Sequence, residues 1–171
     1  PVLVDVDSAT FNMDTEALRK AITPKTKAIV PVHLFGQCAN MEAILEIAKA
    51  HDLYVIEDTT QALGAEYTFR DGTKKKAGTI GTVGTTSFFP SKNLGCYGDG
   101  GAIFTNNDDL AKTIRGIANH GMHKKYYHDV VGVNSRLDSI QAAILRIKLD
   151  LLDSYNDTRR KAAVYYSAGL A

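Results

Sequence analysis

The sequence predicts an α/β protein built on a mostly parallel sheet, and three observations point there. Apolar, β-branched runs at 27–32 and 53–56 flank a helix-period segment at 41–51, the strand–helix–strand order of a βαβ unit. Two further short runs, 85–89 and 102–105, are joined by glycine-rich turns. Two carboxylates, Glu57 and Asp58, close the second apolar run, where open α/β sheets carry their ligands.

Taken in order, the chain enters on a strand-like run, Pro1-Val2-Leu3-Val4-Asp5. Asp14 is placed to cap a helix over 15–22, with Ala17, Leu18 and Ile22 at helical spacing and Pro24 beyond the end. The 27–32 run reads as a strand buried on both faces. Met41, Ile44, Leu45 and Ala48 form the apolar face of the second helix. The Lys74-Lys75-Lys76 run reads as a solvated loop. A helix over 108–118 turns Leu110, Ile114 and Ile117 inward, and a polar loop without a core face follows to about residue 131. From 135 to 152, Leu137, Ile140, Ile144, Ile147 and Leu151 mark one long helix that continues weakly through Ala162, Ala163 and Tyr166; its packing partner is expected outside this chain.

Composition narrows the function. With 171 residues, 44% hydrophobic and 23% charged, the chain is long enough for one domain with a real core. A net charge of +1 supplies no broad basic field, so nucleic acid is not expected as a partner. No apolar stretch approaches the roughly 20 residues of a membrane span, and the N-terminus lacks a basic segment followed by an apolar one, so a cytoplasmic protein is expected. Cys38 and Cys96 form neither a CxxC pair nor a metal cluster and read as free thiols. His33, His120, His123 and His128 lack helical metal spacing and read as loop or core residues.

Two features carry chemistry. Asp58 at a strand end is suited to hold the proton on a pyridine nitrogen, as pyridoxal phosphate requires, although taken by itself it reads first as an N-cap starting the next helix. Lys92 sits in Ser87-Phe88-Phe89-Pro90-Ser91-Lys92-Asn93-Leu94-Gly95, a turn rich in small residues after a buried strand. A lysine that forms a Schiff base must be partly desolvated, and this placement allows it, although the residues taken alone read first as a surface loop with an exposed lysine. Ser87, five residues earlier, is placed to bind a phosphate with its hydroxyl. The glycines at 95–101 match neither GxGxxG nor GxxxxGK[ST].

Four linked segments carry a family resemblance: residues 57–65 (EDTTQALGA), 87–93 (SFFPSKN), 98–102 (GDGGA) and 132–138 (GVNSRLD). In order and spacing they resemble the DegT/DnrJ/StrS-type nucleotide-sugar aminotransferases, which depend on pyridoxal phosphate. The resemblance starts from a segment like Pro31-Val32-His33-Leu34-Phe35-Gly36-Gln37 and covers nearly the whole chain. It implies a three-layer α/β/α large domain, of which 1–171 is the central portion, without the N-terminal phosphate loop or the C-terminal small domain. It implies that Lys92 forms the Schiff base and moves the proton, that Asp58 pairs with the ring nitrogen, and that Gln61 sits beside the ring. Ser87 then binds the phosphate, and Asn134 reaches the cofactor of the other subunit, which requires a homodimer. The implied reaction takes an amino group from a donor such as glutamate to a nucleotide-linked keto-sugar, and the residues around Lys92 look most like enzymes acting on UDP-3-keto-N-acetylglucosaminuronate. Two other readings stand beside it: pyridoxamine-dependent dehydration, in which relatives carry histidine in place of the lysine, and a non-catalytic relative that binds cofactor or nucleotide sugar. An incomplete pocket and an exposed apolar surface are expected of this segment alone.

Overall fold

The computed structural model describes residues 1–170 and is an α/β fold around a four-stranded sheet. The first helix, α1 (Thr15–Ala21), forms as read: the Asp14 carboxylate accepts from the N–H groups of Glu16 and Ala17, and the chain leaves the helix at Ile22. Leu18 is its buried residue. Strand β1 (Ala28–Ile29) is followed by a short 3-10 turn at Leu34–Gly36 and by α2 (Met41–Ala50), capped by Asn40. Met41, Ile44, Ile47 and Ala48 of α2 are buried with Ile29 and Val55 in the larger hydrophobic cluster.

Strand β2 (Tyr54–Asp58) lies between β1 and β5 (Val83–Ser87), parallel to both, and β6 (Gly101–Phe104) closes the sheet antiparallel to β5, giving the order β1-β2-β5-β6. The expected βαβ unit is therefore present, and two of the three strand pairings are parallel. Pro31 has no N–H to donate, so β1 is short; pairing with β2 resumes beyond it through Asp58 N to Pro31 O and His33 N to Asp58 O, both 2.9 Å. A second hydrophobic cluster joins Leu94 and Cys96 to Leu145 and Leu152 of α4 (Ser139–Leu149) and α5 (Leu152–Leu170).

The structure corrects several expectations. Residues 1–5 form no strand; only an isolated bridge, Val6 to Met13, orders this region. The first strand is buried on one face, not two: Ile29 packs against α2, while Val30 and Val32 are exposed because no described element covers the opposite face. The lysine run is no loop but β4 (Lys74–Lys76), paired with β3 (Glu66–Thr68) in an exposed hairpin. After α3 (Asp108–Ala118) the polar segment forms a second hairpin, β7 (Met122–Lys124) with β8 (Tyr127–His128). Ile117 of α3 is exposed. The long helix is two helices. It starts at Ser139, where Asp138 caps the N–H of Gln141, and it breaks at Asp150 and Leu151.

Candidate active site

The parallel strands deliver two carboxylates to one strand end, and their neighbours assign them different work. Glu57 points to the buried side and has no exposed surface. Its Oε2 accepts from His33 Nε2 at 2.9 Å and from Gly78 N at 2.8 Å; its Oε1 accepts from Ile80 N at 2.7 Å and Gly81 N at 2.6 Å. Ala39 N donates to His33 Nδ1 at 3.0 Å, so the ring proton sits on Nε2 and His33 donates to Glu57. Burial pushes the Glu57 carboxyl up, but the bonds from His33, Gly81, Gly78 and Ile80 together hold it below its ordinary value of 4.5. Glu57 is thus a clamp on the 78–81 turn, and His33 is the core histidine expected of it.

Asp58 alternates to the other, half-buried side, in register with Thr85 of β5. Its Oδ1 accepts from Thr60 N at 2.9 Å. The capping reading is therefore right for one oxygen, although the segment after Asp58 is a run of turns and no helix. No hydrogen bond to Oδ2 occurs within the described residues, which leaves that oxygen for a protonated partner. Ser87, two residues beyond Thr85 on the same strand, accepts from Phe89 N at 3.1 Å through Oγ, and its hydroxyl proton remains for an anion.

Lys92 lies in the loop 88–100 between β5 and β6. Backbone bonds close this loop, from Lys92 N to Phe89 O at 2.9 Å and from Cys96 N to Phe88 O at 2.8 Å. The turn is tight at Gly95, where an added Cβ would lie 2.4 Å from Pro90 O. Lys92 is half-buried, and among the described residues it enters no ion pair. It lines a cavity of about 510 Å³ together with Gln61, Thr60 and Phe35. Gln61 is oriented there by Phe35 N, which donates to its Oε1 at 3.2 Å. The cavity brings Gln61 and Lys92 together, whereas Asp58 and Ser87 are not among the residues that line it. Asn134 is not brought to them: it lines a different cavity, of about 1000 Å³, along with Arg136 and Thr86.

One wall of the Lys92 cavity was missed in the sequence. Asn156, Arg159, Arg160 and Ala163 of α5 line it, at i, i+3, i+4 and i+7 of one helical face. The signal was present as Asn156 followed by two arginines at helical spacing, but nothing local ties that face to a lysine 64 residues earlier. The remaining histidines stay away from the cavity. His128 Nδ1 donates to His120 O at 2.8 Å, and the His123 ring packs on Gly116. Among the described residues no group of histidine, cysteine or acidic side chains is arranged for a metal, and no helix is long and apolar enough to cross a membrane. Cys38 and Cys96 are both free thiols.

The mostly parallel sheet and a cavity that Lys92, free of ion pairs among the described residues, shares with Gln61 define the class as an α/β protein with a lysine in a pocket. Comparison with known proteins gives the family: residues 1–171 match the DegT/DnrJ/EryC1/StrS aminotransferase family, and the chain belongs to it. A pleiotropic regulatory protein of Geobacillus stearothermophilus is 56% identical over 98% of this chain and 44% of its own length. The UDP-2-acetamido-2-deoxy-3-oxo-D-glucuronate aminotransferase of Pseudomonas aeruginosa is 53% identical over 99% of this chain and 46% of its own. The crystal structure of S. venezuelae DesV in complex with a ketimine intermediate superposes with a TM-score of 0.94 at 46% identity, covering 100% of this chain and 45% of that one. The chain therefore spans less than half the length of these relatives.

Proposed function

We propose that residues 1–171 are the central part of the cofactor-binding large domain of a pyridoxal-phosphate-dependent sugar aminotransferase. The observation that carries this reading is the cavity that Lys92 shares with Thr60 and Gln61, in the segment that follows Asp58 out of β2. The donor set fits the cofactor: an amine without an ion-pair partner for the aldehyde, a carboxylate with a free oxygen for the ring nitrogen, and a hydroxyl for the phosphate. When bound, pyridoxal phosphate supplies the electron sink that makes the carbon next to an amino group acidic.

The residues divide the remaining work. Asp58 holds the proton on the ring nitrogen. Gln61 flanks the ring, and Phe35 N–H keeps its amide in place. Ser87 anchors the phosphate. Lys92 would hold the cofactor's aldehyde end, and its Nζ would act as base and then acid, carrying one proton to and from the substrate carbon. Asn134, exposed and turned to another cavity, suits a role across a homodimer interface, on the cofactor of the partner subunit. Glutamate is the proposed donor and a nucleotide-linked 3-keto-sugar the acceptor, UDP-3-keto-N-acetylglucosaminuronate by likeness to the Pseudomonas relative. The compartment proposed is the cytoplasm, where nucleotide sugars are made.

Borohydride reduction of the intact protein with its cofactor tests the reading. A covalent adduct mapped to Lys92 is expected, and Lys92→Ala should keep the fold while transamination falls by at least about a thousandfold, the factor that loss of a covalent and acid–base residue costs. Full activity in that variant would end the proposal. The likeness to the Geobacillus regulator favours a second reading, a non-catalytic binder. It predicts cofactor binding with no turnover of any keto-sugar in a panel of nucleotide-linked substrates. Lys92 stands where the dehydrating relatives carry histidine, so dehydration is not proposed.

A further inference from the structure

We infer that Asn156 is a positioning residue for Lys92, acting through Asn93 on a carbonyl, Leu63 O, where three distant segments meet. This rests on the proposed role of Lys92. Asn93 Nδ2 donates to Leu63 O at 2.7 Å and to Asn156 Oδ1 at 3.3 Å, and Asn156 Nδ2 donates to the same Leu63 O at 3.1 Å. The three bonds close a triangle. They use both hydrogens of the Asn93 amide and both acceptor sites of the carbonyl, so no member can rotate without breaking two of them.

The placement of the corners gives the triangle its function. Asn93 follows Lys92, and Leu63 is two residues past Gln61 in the turn that begins at Asp58. The node therefore fixes the lysine turn relative to the turn that carries the other ring-binding groups. Asn156 also sets the face of α5 that walls the cavity, since Arg159, Arg160 and Ala163 share its side of the helix. Gly64 makes the approach possible: it has a φ of +90°, and a Cβ there would lie 2.7 Å from Asn156 Nδ2. The node is separable from folding, because α5 is also held by Leu152 against Leu94, Cys96 and Leu63.

The test uses the intact protein with its cofactor. Asn156→Ala, Asn93→Ala, the double variant and Thr158→Val, on the solvent side of α5, are compared for kcat, KM and the pH midpoint of the bound cofactor's visible absorbance, with thermal melting alongside. We expect kcat to fall about tenfold in either asparagine variant with KM for both substrates unchanged, because a loosened lysine is slower to reach its proton. The midpoint should move by about half a pH unit or more, the scale of a lost hydrogen bond. The double variant should match the singles, and Thr158→Val should match the parent. Should Asn156→Ala fail to fold, Asn156→Asp carries the test: it keeps the acceptor for Asn93, cannot donate to Leu63, and should show the same kcat loss. A parental kcat and midpoint in folded, cofactor-bearing asparagine variants would overturn the inference, as would additive effects in the double variant. A parent protein that gives no borohydride adduct at Lys92 would instead overturn the reading of the site on which the inference stands.

Discussion

Among single residues, the neighbouring carboxylates on β2 show how strand alternation divides labour. Glu57 faces four donors and Asp58 faces one, although both close the same apolar run. A buried carboxylate left without partners would cost several kcal/mol, and here every lone-pair direction is met. Glu57→Gln should therefore destabilise the protein by about 3 kcal/mol at neutral pH, because the new amide turns an N–H₂ toward donors that need an acceptor. The pH dependence has a definite sign. The folded protein holds the Glu57 proton less tightly than the unfolded chain does, so the stabilisation is complete above about 4.5 and is lost as pH falls through the lowered folded value. Urea titrations of both proteins should show a gap at pH 7 that narrows below about pH 4.5; a gap constant across that range would show that charge is not its source. Cys38 behaves oppositely. Burial, with help from the Glu57 charge, pushes its thiol up to about 11, so alkylation at about pH 8 should be slow and should accelerate only above about pH 10.

Among the elements, the legible parts were those whose pattern is satisfied within the chain. α2 and the strands beside it were readable because Met41, Ile44 and Ala48 find their partners in β1 and β2, although Ile47 and not Leu45 completes the buried face. The strand-end acids and the turn of Lys92 stood out by residue type and position, but their roles came from the family resemblance and not from the residues alone. The α4–α5 pair was not, and the physical reason is specific. The apolar stripe of Ile140 and Ile147 is exposed, each 72%, while Leu145 and Leu152 do the packing. Periodicity detected a face that nothing in the described residues covers. The β7–β8 hairpin escaped because its residues are largely exposed and show no apolar alternation. The Asn93–Leu63–Asn156 node escaped because its bonds span up to 93 residues of sequence. The strand contact beside Glu57 is open to a direct test. Gly84 in β5 is buried, and a Cβ there would fall 2.0 Å from Gly78 O, so the 78–81 turn lies directly on the strand. Gly84→Ala must push that turn off the Glu57 carboxylate, and a loss of about 3 kcal/mol with weaker cofactor retention is expected. An unchanged melting temperature would mean that the turn yields freely.

Across the molecule, the apolar surface decides how this segment behaves alone. Val131 and Leu3 are each 95% exposed, Tyr165 is 79% exposed, and the α4 stripe adds Ile140 and Ile147. Scattered apolar side chains are ordinary on a surface, but several turns of one helix face left bare are not. The chain spans less than half of each relative's length, and on the proposed reading of residues 1–171 as part of a larger domain, further polypeptide would cover that face. Produced by itself, the 171-residue segment should bind a hydrophobic dye such as ANS, self-associate on size exclusion, and hold pyridoxal phosphate poorly. Charge substitutions at Ile140 and Ile147 separate packing from folding. They should improve the solubility of the isolated segment, because Leu145 and Leu152 still hold α4 and α5 to the loop of Lys92. In the longer protein the same two substitutions should destabilise or block assembly, since each would bury an unpaired charge. If the longer protein tolerates both without change, the stripe is a free surface and the cover lies elsewhere.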